Sequence, residues 1–239
     1  GKWRKSQEKA LLKAMDEIQK IAERHSNNIN NTAQAMGKNV SEAEKFNAQL
    51  QSSINSGNMM NTTLAEVTAT AAELKQQFGG ALDFTADQIV NLDVAAKKLG
   101  ISNSTAAAFS KQMFAAGEAG DDLGISLMAG TKALSEASGV AFDSVMKDIA
   151  SSGEAFANAT GRSGKEMAIA AVAARRMGFE LSDMLSMSEN LLDVESSIEK
   201  QMKFNMLTGK NINLDKARAL AIEGDHEGML KEVVKQAGD

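Results

Sequence analysis

Apolar residues recur at alternating steps of four and three along residues 11–78. The seam runs Leu11, Met15, Ile18, Ala22, His25, Ile29, Thr32, Met36, Asn39, Ala43, Phe46, Leu50, Ser53, Gly57, Met60, Leu64, Val67, Ala71, Leu74 and Phe78. Of these 20 positions 15 are apolar, against 12 of the other 48 residues in the span. That contrast predicts a coiled coil with this seam as its interface, rather than an ordinary amphipathic helix. At ~1.5 Å per residue one long helix, or two joined near Asn55–Asn58, would reach roughly 100 Å. His25, Thr32, Asn39 and Ser53 fall in one heptad column and read as polar layers that fix register. Three chains would bring three His25 rings together, but a hydrated polar layer is the plainer reading. The weak spot is Asn55-Ser56-Gly57-Asn58, where a bend without a register slip is expected.

Gly79-Gly80 ends the seam, and the pattern changes to short helices punctuated by Gly. Thr85 caps a helix to about Leu99, with Gly100 as its stop. Ser102 or Ser104 starts the next, and Asp121-Asp122 opens another toward Ser138. Further helices are expected at roughly 142–151, 163–177, 182–208, 213–223 and 226–237. Gly100, Gly139 and Gly178 are spaced 39 and 39 residues apart, each followed by an apolar residue and a candidate cap (Ser102 or Ser104, Asp143, Ser182). Ala95-Ala96-Lys97-Lys98-Leu99-Gly100-Ile101 parallels Ala173-Ala174-Arg175-Arg176-Met177-Gly178-Phe179. A period of that size fits one helical hairpin of an α-array. No stretch alternates with period two. The expected fold is all-α: a coiled-coil rod over 1–80, then a domain of short Gly-capped helices over 81–239.

Composition sharpens this picture. The 239 residues include no Pro, no Cys, no Tyr and one Trp, Trp3. Proline lacks an N–H and clashes with the preceding turn, so a chain without it favours helix nearly throughout. Without cysteine there are no disulfides or thiolate metal sites. No run approaches ~18 apolar residues, so no transmembrane helix is expected, and no signal peptide is visible. The chain begins at Gly1, as a piece of a longer polypeptide would.

Charge is uneven. Residues 1–80 carry 10 basic and 8 acidic side chains (+2), and residues 81–239 carry 16 and 23 (−7). The acidic half argues against a sequence-specific nucleic-acid face.

Candidate chemistry is sparse. Two His, His25 and His226, make no metal motif. Gly161-Arg162-Ser163-Gly164-Lys165-Glu166 has the wrong glycine spacing for a phosphate loop and reads as a loop and helix cap. Asp121-Asp122 reads as helix N-terminal charge. Met59-Met60, Met167, Met177, Met184, Met187, Met202 and Met206 could line an adaptable surface, but their helical spacing favours core packing. No catalytic set and no cofactor is expected, and the chain does not read as an enzyme.

The C-terminal half carries recognisable strings. They are Met177-Gly178-Phe179-Glu180-Leu181-Ser182-Asp183, Leu191-Leu192-Asp193-Val194-Glu195-Ser196-Ser197-Ile198-Glu199, Leu207-Thr208-Gly209-Lys210-Asn211-Ile212-Asn213-Leu214-Asp215-Lys216-Ala217-Arg218-Ala219-Leu220-Ala221 and Glu223-Gly224-Asp225. Over about residues 132–236 this grammar resembles bacteriophage tail tape measure proteins. The resemblance implies a long helical protein held in the tail tube, usually as a trimer, that sets tail length and leaves at DNA ejection. It implies tail-tube and baseplate or tail-tip hub proteins as partners, assembly in the host cytoplasm and residence in the virion. Two other readings share the composition: a chemoreceptor-like signalling bundle, for which no second heptad arm is found, and a helical structural protein of a contractile injection system.

Overall fold

The N-terminal seam does not continue as one helix. In the computed structural model, which describes residues 2–56, 62–79, 83–160 and 163–238, it is divided among α1 (Lys2–Met36), α2 (Val40–Ser56) and α3 (Leu64–Phe78). The break after α1 is built from the sequence itself. Gly37 turns left-handed at φ +60°, and the Lys38 N–H donates back to the Ala33 carbonyl at 3.0 Å, which stops a helix. Asn39 then starts α2 with a reciprocal cap: the Glu42 N–H donates to Asn39 Oδ1 at 2.9 Å and the Asn39 N–H to Glu42 Oε2 at 3.2 Å. Thr63 and Glu66 make the same box before α3. Asn39, expected as a polar layer within a continuous coil, is therefore a helix start. The expected bend at residues 55–58 falls largely outside the described residues; α2 ends at Ser56.

The helices fold back, and α1 packs against both α2 and α3. A Cβ added at Gly37 would strike the Lys75 ammonium, so α3 returns past the end of α1. Ala43, Phe46, Leu50 and Ile54 of α2 and Val67, Ala71 and Leu74 of α3 are buried. The rod of roughly 100 Å is thus replaced by a folded bundle whose longest member, α1, spans about 50 Å.

α4 (Ala86–Leu99) packs with the same group. Its fully buried Asp93 accepts from Thr62 Oγ1 and, at 2.9 Å, from Thr70 Oγ1. Lys97 reaches Glu66 Oε2 at 2.7 Å. This bond holds the Glu66 carboxyl below its usual range, with the Thr63 backbone adding to it. The Thr85 cap is present as expected, with the Gln88 N–H on Thr85 Oγ1 at 3.2 Å. Contacts divide the chain into two units, Gly1–Lys98 with Ser102–Ala107, and Leu99–Ile101 with Ala108–Asp239. The boundary expected at Gly79-Gly80 places α4 with the second.

The second unit holds the remainder of α5 (Asn103–Ala115) with α6 (Ile125–Ala137), α7 (Phe142–Thr160), α8 (Gly164–Arg176), α9 (Leu181–Leu192), α10 (Val194–Thr208), α11 (Asp215–Glu223) and α12 (His226–Gly238). Among the described residues the chain is all-α, with no strand. The glycines of the 39-residue spacing all sit at helix–helix corners, at φ +72°, +69° and +86° for Gly100, Gly139 and Gly178. At Gly178 the Phe179 N–H donates to the Ala174 carbonyl at 2.9 Å, and at Gly139 the Val140 N–H donates to the Ser135 carbonyl at 3.0 Å. Gly224 turns the α11–α12 corner the same way.

α8 is the centre of this unit. Ala168, Ala170, Ala171, Ala173 and Ala174 are buried, and α6, α7, α9 and α12 all pack on it. Small side chains permit that close approach, and methionines fill what remains. A Cβ on Gly153 would lie 2.9 Å from the Met167 sulfur, and one on Gly164 would meet the Met113 sulfur. Arg175 joins α8 to α7 by a bidentate pair with Asp148, at 2.7 and 2.6 Å. That pair raises the Arg175 pKa further.

The single helix expected over 182–208 is two helices. Asp193 leaves the helical region (φ −78°, ψ 77°), and its carboxylate accepts the Ser196 N–H that opens α10. The cap of α9 is Glu180 with Asp183, not Ser182.

Candidate interaction surfaces

The described seam residues divide between exposed and buried positions. On α1, Met15 and Ile18 are 57% and 65% exposed and Ala22 is exposed, while Ile29 is buried. The side chains of Leu11, His25, Thr32 and Met36 lie outside the described ones, as do Gly57 and Met60. Phe46, Leu50, Val67 and Leu74 are buried within the first unit, and Leu64 and Phe78 are half-buried. Phe78 packs edge-on against Phe84, with ring centres 5.0 Å apart. Ser53 donates to Asp87. The seam therefore splits into a covered part on α2 and α3 and a bare part on the N-terminal half of α1. There every described side chain of residues 9–24 is exposed, including Leu12 and Ile21.

The candidate chemical motifs resolve into caps. Ser163 and Glu166 form the box that starts α8; Gly161 and Arg162 are outside the described residues. Asp122 accepts from the Gly124 and Ser126 N–H groups and from Ser126 Oγ, at 3.0, 3.1 and 2.7 Å. Partial burial opposes ionisation of its carboxyl, but these hydrogen bonds together hold it below its usual range. His226 is buried at the start of α12, its ring edge-on to Phe156. Among the described residues no three His, Cys, Asp or Glu side chains are grouped to hold a metal ion. Among those residues, too, no helix is long and apolar enough to cross a membrane.

The methionines divide. Met167 and Met184 are fully buried, as core packing requires, whereas Met202 and Met206 are 61% and 82% exposed. The reason is α10, a helix turned inside out. Ser197, Gln201 and Asn205 share the face toward α11 and its approach. Arg218 donates to Ser197 Oγ at 2.6 Å and to Gln201 Oε1 at 2.7 Å, and pairs with Asp215 at 2.7 Å. Asn205 donates to the Ile212 carbonyl and accepts its N–H, at 3.0 and 2.9 Å. The polar side is thereby held inward and the apolar side outward. Sequence reasoning missed this face. The signal was Arg218, buried although charged and one turn after Asp215.

Between the α6 and α8 helices lies a groove of about 330 Å³, lined by Leu127, Gly130, Leu134, Ala168 and Ile169, with Lys165 at its edge. Compared with known proteins, the chain matches no protein-family model, no curated protein and no solved structure.

Proposed function

We propose that this chain is a structural helical protein of a phage tail, a segment of a tape measure protein carried in the tail tube and released at DNA ejection. The observation that carries the reading is the bare stripe of α1. A helix about 50 Å long presents Met15, Ile18 and Ala22 at heptad spacing to solvent. Such a stripe is stabilised by matching stripes of other copies. Its place in a proline-free chain, alongside the tape-measure-like strings of residues 132–236, supports a homotrimer that meets tail-tube and hub proteins. No catalysis is assigned to it. The fold-back of α2 and α3 shortens the span per residue, so this segment serves as an anchoring end of the ruler, and the measured length resides elsewhere in the parent protein.

Mass spectrometry of purified particles before and after triggered DNA ejection tests the reading. Peptides of this chain are expected in full particles and depleted from emptied ones. Tails that assemble at normal length and lack the chain entirely would remove the role.

A further inference from the structure

We infer that the outward face of α10 is a twofold interface, on which a second copy of this chain docks with its own α10 antiparallel. The face was described above as exposed; what selects its occupant is the order of charges along it. Val194, Ile198, Met202 and Met206 follow one another at steps of four and form a single ridge, with exposures of 41, 41, 61 and 82%. The adjoining row, also at steps of four, is Glu195, Glu199 and Lys203, all exposed. The helix is acidic in its first half and basic in its second: from Lys200 to Leu214 there are three lysines and no acidic residue, in a half of the chain that is otherwise acidic.

A parallel neighbour would turn this row toward the neutral flank of Ser197, Gln201 and Asn205, leaving Glu195, Glu199 and Lys203 without partners of opposite charge. An antiparallel neighbour related by a twofold axis near residue 200 sets Glu195 and Glu199 of each copy beside Lys203 of the other. It also sets Ile198 against Met202 and Val194 against Met206. Helix ridges formed at steps of four interdigitate in this way, and a self-complementary patch is what an isologous contact requires. The inward polar network pins the orientation. With Ser197, Gln201 and Asn205 engaged with Arg218 and Ile212, α10 cannot roll its apolar ridge under without leaving those groups unpaired. Methionine suits such a contact because its unbranched side chain adapts to the branched Ile198 and Val194 it meets.

The test uses the full chain carrying Ile18→Glu, which silences association through α1, so that the two contacts are read separately. Sedimentation at micromolar concentration is expected to show a dimer. Lys203→Glu is expected to abolish it, and adding Glu199→Lys to that variant is expected to restore it. Because the chain has no cysteine, single thiols are clean reporters. A short bis-maleimide is expected to link Val194→Cys chains to Met206→Cys chains when the two are mixed, and to leave Met206→Cys alone unlinked. A monomer at all concentrations would overturn the proposal, as would a dimer indifferent to Lys203→Glu. Linkage of Met206→Cys to itself would replace the antiparallel pairing with a parallel one. A chain that stays monomeric but sediments with phosphatidylglycerol vesicles would assign the face to a lipid surface instead.

Discussion

At the scale of single residues, two carboxylates with lowered pKa values are structural. Glu66 and Asp122 each hold a helix start, and Glu66 also receives Lys97 from α4. Both carboxyls titrate below their usual range in the folded chain, Glu66 chiefly through Lys97 and Asp122 through Ser126 and Gly124 against the opposing effect of burial. A depressed carboxyl stabilises the fold fully above its unfolded pKa, and that contribution is lost as pH falls through the lowered value. Thermal melts are therefore expected to be flat above about pH 5 and to move to lower temperature below about pH 4. Glu66→Gln should reduce the acid sensitivity; an unchanged pH profile in that variant would contradict the assignment. Asp122 was legible from sequence as helix N-terminal charge. Asn39 was misread as a register layer, although Asn followed three residues later by Glu is a capping box. Its place on the heptad seam concealed it.

At the scale of elements, the seam shows why periodicity identifies helices better than it identifies their partners. Alternating steps of three and four mark a helix with one apolar face, whether another copy or the next helix of the same chain covers it. Gly37 decided for α2 and α3. The glycine corners were legible because they depend on local backbone geometry alone. They also yield paired substitutions of opposite sign. Gly178 sits at φ +86° with nothing within 4 Å of a built Cβ, so Gly178→Ala meets no clash but strains the backbone. It is expected to cost about 1–2 kcal/mol. Gly130, inside α6, also has open space but ordinary helical backbone. Gly130→Ala is expected to stabilise by about 0.5–1 kcal/mol. Denaturant melts of the two variants should move in opposite directions, and movement of both the same way would refute the corner geometry. Asp193 marks the limit of such reading: a lone Asp within a helical pattern gives no warning that it divides α9 from α10.

At the scale of the whole molecule, the all-α class follows from missing proline, sparse aromatics and abundant Ala and Met. The grouping of helices into two units does not, because it depends on long-range contacts such as Arg175 with Asp148 and Asp93 with Thr70. The outward ridge of α10 was hidden for a related reason. Its orientation is set by polar partners on α11 and the approach to it, seven to 21 residues away in sequence, and a scan of one helix at a time treats every apolar ridge as core. The same local corners and proline-free backbone carry a kinetic consequence. The hydrogen bonds at Gly37, Gly139, Gly178 and Gly224 join residues five apart, so the chain nucleates by small closures, which are fast. With no X-Pro bond to isomerise, refolding followed by far-ultraviolet circular dichroism should lack the phase of tens of seconds that prolyl isomerisation imposes. Whatever slow step remains should be encounter between copies, and its rate should climb with protein concentration.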